Sequence, residues 1–167
     1  MFAIGEFVVK PNKGICKVEE IGPIDISGEN KNKLYYILSP LSDKGAKIYV
    51  PVDKEDTGIR SVMSEEQAWK VINSMTEVEE VWIENDRYRE QKYKEAIKSC
   101  DPVELISIIK NMYHRKKERN SQGKKNTIID ERYFKQAEDI LYGELAFAIG
   151  RDKSEMNQVI LDTIEKK

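Results

Sequence analysis

The hydrophobic period of this chain changes once, and that change limits what it can fold into. Before residue 53 apolar side chains sit in short runs divided by Gly and Pro, and after residue 63 they recur at helical spacing. A period near two places alternate residues on one face of a strand, whereas a period of 3.6 builds one face of a helix. An all-β third followed by helices implies two modules of an α+β protein. The boundary falls near residues 53–63, giving modules 1–57 and 64–167, with the helix that opens at Ser64 assignable to either.

In the first module Phe7-Val8-Val9 precedes the turn signal Pro11-Asn12-Lys13-Gly14, and Ile15–Ile21 then alternates up to Gly22-Pro23. Ile24-Asp25-Ile26, a polar turn at residues 27–30, the run Lys33–Leu38 and the run Ala46–Val52 follow. Pro51 suits a strand end or edge, because proline donates nothing to a ladder. Short strands at regular spacing predict a small twisted antiparallel barrel.

The second module is predicted to hold about five helices. Ser64-x-x-Gln67 is a capping box opening the first, with Ala68, Val71, Ile72 and Met75 on one face and Trp69 beside it. Val81–Asp86 reads as the start of a helix running to about Ser99. Asp101-Pro102-Val103-Glu104 combines an N-cap with a proline at the first helical position. It begins a helix whose stripe is Leu105, Ile108, Ile109, Met112 and Tyr113, broken at Ser121-Gln122-Gly123. Thr127-x-x-Asp130 caps a helix carrying Tyr133, Phe134, Ala137, Ile140, Leu141, Leu145 and Ala148 to Gly150. Asp152-x-x-Glu155 opens the last, with Met156, Val159, Ile160 and Ile164 inward.

Charge is sorted along this pattern. The formal net charge is -2, yet residues 110–125 carry Lys110, Arg115, Lys116, Lys117, Arg119, Lys124 and Lys125 against the single acid Glu118. Such a run is commonly the solvated end of a helix, where cations also complement the helix dipole. It is equally a patch that neutralises phosphates and releases counterions. Arg87, Arg89, Lys92 and Lys94, interleaved with Glu90 and Glu95, have the same two readings: a salt-bridged surface helix or phosphate contacts that position a domain.

Chemistry is harder to find. Cys16 and Cys100 are lone thiols, His114 is the only histidine, and no nucleophile-elbow, zinc-protease, P-loop or dinucleotide-binding motif occurs. A Cys16/His114 nucleophilic pair is the one enzymatic alternative, and reduced structural thiols are favoured over it. No apolar run approaches the roughly 20 residues that span a bilayer. The N-terminus lacks a signal-peptide pattern, so a cytoplasmic binding protein without cofactor, metal or membrane partner is expected.

At this point the order of motifs resembles the CarD/CdnL family of bacterial RNA polymerase-binding transcription regulators. The resemblance rests on Gly5-Glu6-Phe7-Val8-Val9-Lys10-Pro11-x-x-Gly14, Ile48-Tyr49-Val50-Pro51-Val52, Ser99-Cys100-Asp101 and Ala137-x-x-Ile140-Leu141-x-x-Glu144-Leu145-Ala146. It implies a Tudor-like barrel at 1–57, similar to the polymerase-binding module of transcription-repair coupling factors, that docks on the polymerase β subunit. It also implies a helical domain at 64–167 that touches promoter DNA at the upstream edge of the bubble. The action so implied is non-catalytic stabilisation of the open complex, by a monomer associated with the nucleoid through polymerase. DNA is met mainly through backbone and minor groove, without sequence specificity.

Carried onto this chain, the resemblance assigns polymerase binding to Lys13, Lys47, Ile48 and Tyr49. DNA binding falls to Trp82, Arg87, Arg89, Lys92, Arg115, Lys116, Lys117, Arg119, Lys124 and Lys125. The chain departs from the family where Ile24 and Tyr49 stand in place of arginines on the β-facing surface. The family's minor-groove tryptophan aligns without gaps to Asp86, and Trp82 supplies that ring if the helix begins sooner. Trp82 is thus either a minor-groove wedge or a packed core or interface residue, and the acids Glu79, Glu80, Glu84 and Asp86 around it weigh against the wedge. A different class of function, an adaptor with a binding barrel and a helical oligomerisation domain, predicts that the basic run is dispensable.

Overall fold

The computed structural model describes residues 1–24, 32–54 and 57–165, with side chains through residue 163. It divides into two compact units, Met1–Val62 and Met63–Lys167. The strand expected at 24–26, the turn at 27–30 and the inward side chain of Ile164 fall on or run into positions outside the described residues.

The first unit is a five-stranded antiparallel sheet in the order β4-β3-β2-β1-β5. Its strands are β1 (Phe7–Lys10), β2 (Gly14–Gly22), β3 (Tyr35–Pro40), β4 (Ile48–Pro51) and β5 (Arg60–Ser61). The β1–β2 turn places Asn12 at φ 65° and Gly14 at φ 76°, conformations that Asn tolerates and Gly adopts freely. Alternation then sends Val8, Cys16, Val18, Tyr36, Leu38 and Val50 into one core. Each aliphatic chain buried there contributes about 1.5–3 kcal/mol of transfer free energy. A register shift between Val18 and Glu20 bends β2, as a bulge does. Among the described residues β4 and β5 are not paired with each other, so both are edges. β5 was not expected, since its two residues lie where the sequence suggests only a connector.

The second unit holds α1 (Glu65–Ser74), α2 (Arg89–Ser99), α3 (Pro102–Ser121), α4 (Ile128–Ile149) and α5 (Met156–Glu165). Both halves of the Ser64/Gln67 capping box form. Asp101 caps α3 through the N–H groups of Val103 and Glu104, and the Thr127 hydroxyl accepts from Asp130 N. The core gathers Ile72, Tyr93, Leu105, Ile108, Met112, Leu141, Leu145 and Met156, with Trp69 packed at its margin.

Two expectations need correction. Tyr113 is exposed rather than part of the α3 stripe. The segment from Val81 does not start a helix: residues 78–85 are irregular, Asn85 caps a 3-10 turn at Asp86–Tyr88, and α2 follows only at Arg89.

Candidate functional site

In the sheet unit β4 has, among the described residues, a ladder partner on one side only. Its alternation exposes Lys47 and Tyr49 and turns Ile48 and Val50 inward. Ile48, assigned to a partner contact from the resemblance, therefore offers neither side chain nor edge backbone. Its side chain turns inward, and its backbone faces β3, since Val52 N bonds Leu34 O and every second residue of β4 shares that direction, which leaves the outward N–H and C=O to Tyr49. Tyr49 lies opposite Ile37, and on that outer face Tyr35 and Ser39 flank Ile37. Lys33 Nζ stands 5.7 Å from the centre of the Tyr35 ring. The face is a small aromatic and aliphatic patch with lysines at its rim. Lys13 is exposed in the β1–β2 turn, at the end of the sheet that also carries the β3–β4 loop, since Cys16 is paired with Pro40. It is five residues before Val18 of β2, or about 16 Å at strand rise, and does not join the Tyr49 patch. Ile24 is half-buried outside the strands.

In the helical unit the irregular segment 78–85 runs along α3. Val81 N donates to Ser107 O at 3.3 Å, Asn111 Nδ2 donates to Val81 O at 3.3 Å, and Lys110 Nζ donates to Val78 O at 2.5 Å. His114 Nδ1 meets Glu80 Oε2 at 2.5 Å. The next residue but one is Trp82, 83% exposed. Trp82 is therefore no core residue, and it stands on a loop rather than at a helix start.

Past Trp82 the chain is tied down again. Asp86 Oδ1 accepts from Arg89 Nε at 3.0 Å and from an Arg115 terminal nitrogen at 3.1 Å. The Arg89 bond, with Arg115 beside it, holds the Asp86 carboxyl below the ordinary carboxylate range. Arg89 also donates to Tyr93 Oη at 3.1 Å and to Asn111 Oδ1 at 2.7 Å. Tyr93 in turn donates to Asp130 Oδ1 at 3.2 Å, and burial raises the Tyr93 phenol. Arg115 Nε lies 2.9 Å from Asp130 Oδ2, an ion pair by distance that lacks hydrogen-bond alignment, so neither buried atom has a directed partner.

This network sorts the cations that sequence left together. Arg89 and Arg115, expected on a DNA-facing surface, are spent inside the unit, with side chains 16% and 22% exposed. Arg119 is half-buried and donates to Lys125 O, which closes the α3–α4 turn. Lys94 pairs with Glu90, and Arg87 lies over the Tyr88 ring. Lys92, Lys116, Lys117, Lys124 and Lys125 are exposed and enter no ion pair among the described residues. Ser107, Asn111, Tyr93 and Asp130 were missed by sequence reasoning. Asn111 alone left a signal, as an amide among the apolar residues of α3 next to Met112.

Cys16 is wholly buried in the core of its own sheet, so its thiol is closed to substrate, while His114 is exposed on α3. Among the described residues no helix is long and apolar enough to cross a membrane.

Comparison with known families agrees with both units. Residues 2–63 match the CarD-like/TRCF RID domain, the RNA polymerase-interacting domain shared with transcription-repair coupling factors. Residues 68–161 match the CarD C-terminal domain. With the two matches in this order and over most of its length, the chain belongs to the CarD family of non-catalytic, RNA polymerase-interacting transcription regulators.

Proposed function

We propose that this regulator docks on the polymerase β subunit through the β4 edge, and that its helical unit meets promoter DNA at the upstream edge of the bubble and prolongs the open complex. On the sheet, Lys47 and Tyr49 supply the side-chain contacts and Tyr49 the edge backbone, with Ile48 turned to the core and Lys13 outside the patch. A strand edge without a ladder partner among the described residues, beside the exposed Tyr49 ring, suits a protein partner.

The observation that carries the DNA half is Trp82, 83% exposed on a loop held along the helix that also carries the basic run. An aromatic ring in the minor groove stabilises an unstacked step, and lysines bind phosphates without reading bases. Two of the acids that weigh against this reading are already partnered, Glu80 by His114 and Asp86 by Arg89 and Arg115. Lys116, Lys117, Lys124 and Lys125 then supply phosphate contacts, with Arg87, Lys92 and Arg119 at the margin, while Arg89 and Arg115 position the loop.

The test is open-complex lifetime on a promoter with purified polymerase, together with capture of the isolated β subunit. Trp82→Ala is expected to shorten the lifetime about tenfold, within the roughly 1–3 kcal/mol of a base–aromatic contact, and to leave β capture intact. An unchanged lifetime with Trp82→Ala removes the DNA half. Failure of the wild-type protein to capture β removes the docking half.

A further inference from the structure

We infer that one face of α3, formed by Ser107, Lys110, Asn111, His114 and Arg115, is a strap that pre-orders the loop displaying Trp82. The function of the strap rests on the reading of Trp82 as the DNA-contacting ring. Its existence does not.

The spacing is the first argument. Residues 107, 110, 111, 114 and 115 fall on successive turns of one helix face. That face holds four points of the segment before and after Trp82: Val78, Glu80, Val81 and Asp86. Three of the bonds engage backbone atoms, the carbonyls of Val78 and Val81 and the N–H of Val81, which an irregular segment otherwise leaves to water. The segment is thus fixed on both sides of a ring that is itself almost wholly in solvent.

The second argument is how the contacts are linked. Asn111 bonds the loop with its Nδ2 and Arg89 with its Oδ1, and Arg89 also holds Asp86 on the far side of Trp82. The same amide therefore couples the two anchors. Arg115 joins Asp86 to the buried Asp130 of α4, so the loop is referred to two helices rather than one. An exposed ring on a free loop must be ordered when it binds, and a held loop has met that cost beforehand. Ser107, Lys110, Asn111, His114 and Arg115 are thus positioning residues, and none of them needs to touch DNA.

The experiment uses the full chain with Trp69→Phe, which leaves Trp82 as its one tryptophan. Asn111→Ala and the milder pair Lys110→Met with His114→Ala are compared by Trp82 fluorescence anisotropy on free protein and by open-complex lifetime with polymerase. The pair alters exposed or half-buried side chains, so it reports even if Asn111→Ala fails to fold. Anisotropy is expected to fall in both, and lifetime to shorten about 2- to 10-fold, the ordering of one or two side chains. In a Trp82→Ala background the same substitutions are expected to add nothing to the lifetime effect, whereas a purely structural role would add in full. Wild-type anisotropy in the variants overturns the strap, and so does an equal loss of lifetime with and without Trp82. If Trp82→Ala itself leaves lifetime unchanged, the DNA reading fails while anisotropy still decides whether the strap exists.

Discussion

Asp130 shows how much depends on a single residue here. It is 1% exposed, accepts from Tyr93 of α2, and faces Arg115 of α3 from its own place on α4. A buried carboxylate is tolerated only when its partners remain. Asp130→Ala removes the buried counter-charge of Arg115 Nε and the acceptor of the Tyr93 hydroxyl together. It is expected to cost about 2–4 kcal/mol in urea denaturation, while Asp130→Asn, which keeps an acceptor for Tyr93, costs less. None of this was legible in sequence, where Asp130 reads only as the partner of the Thr127 cap. The same holds for the arginines. Arg115 and Lys116 are neighbours of like charge, yet one lies against Asp130 and the other in solvent. What separates them is the direction of each side chain from α3, which no local pattern records.

At the scale of elements, what was legible is what short-range chemistry determines. The caps at Ser64, Asp101, Thr127 and Asp152 all form, because each needs only a side chain and an N–H two or three residues away. Asp101 is the plainest test, since its carboxylate accepts two N–H groups at the α3 start and faces solvent. Asp101→Ala is expected to lower stability by about 1 kcal/mol, measured as a shift of the urea midpoint with unchanged slope. Within segment 78–85, the part from Val81 was misread for the complementary reason. The segment's apolar residues Val78, Val81 and Ile83 pack on the helical core, as helix residues would. Its backbone is nevertheless captured by side chains of α3 some thirty positions later. β5 escaped notice likewise, as a two-residue strand defined only by pairing with Val8 and Val9.

For the whole molecule, the change of period was enough to divide it, because each unit buries a core of its own. The charge pattern was half legible. Sequence located the basic run, and the structure narrowed it to Lys116, Lys117, Lys124 and Lys125 as the exposed lysines at the α3–α4 turn. A net charge of -2 gives no overall attraction to duplex, so the proposed phosphate contacts of the run depend on a partner that delivers it. Each phosphate neutralised adds about 0.9 to the logarithmic salt slope. Changing all four lysines to Glu is therefore expected to flatten the salt dependence of DNA binding and shorten open-complex lifetime. An unchanged lifetime would favour the adaptor reading. Where the helical unit begins, Met63 N donates to the buried carboxylate of Glu144 at 2.9 Å, on the helix that packs against each of the other four. In mechanical terms this is a second point of attachment: a pull on Met63 is borne by α4 as well as by the first turn of α1.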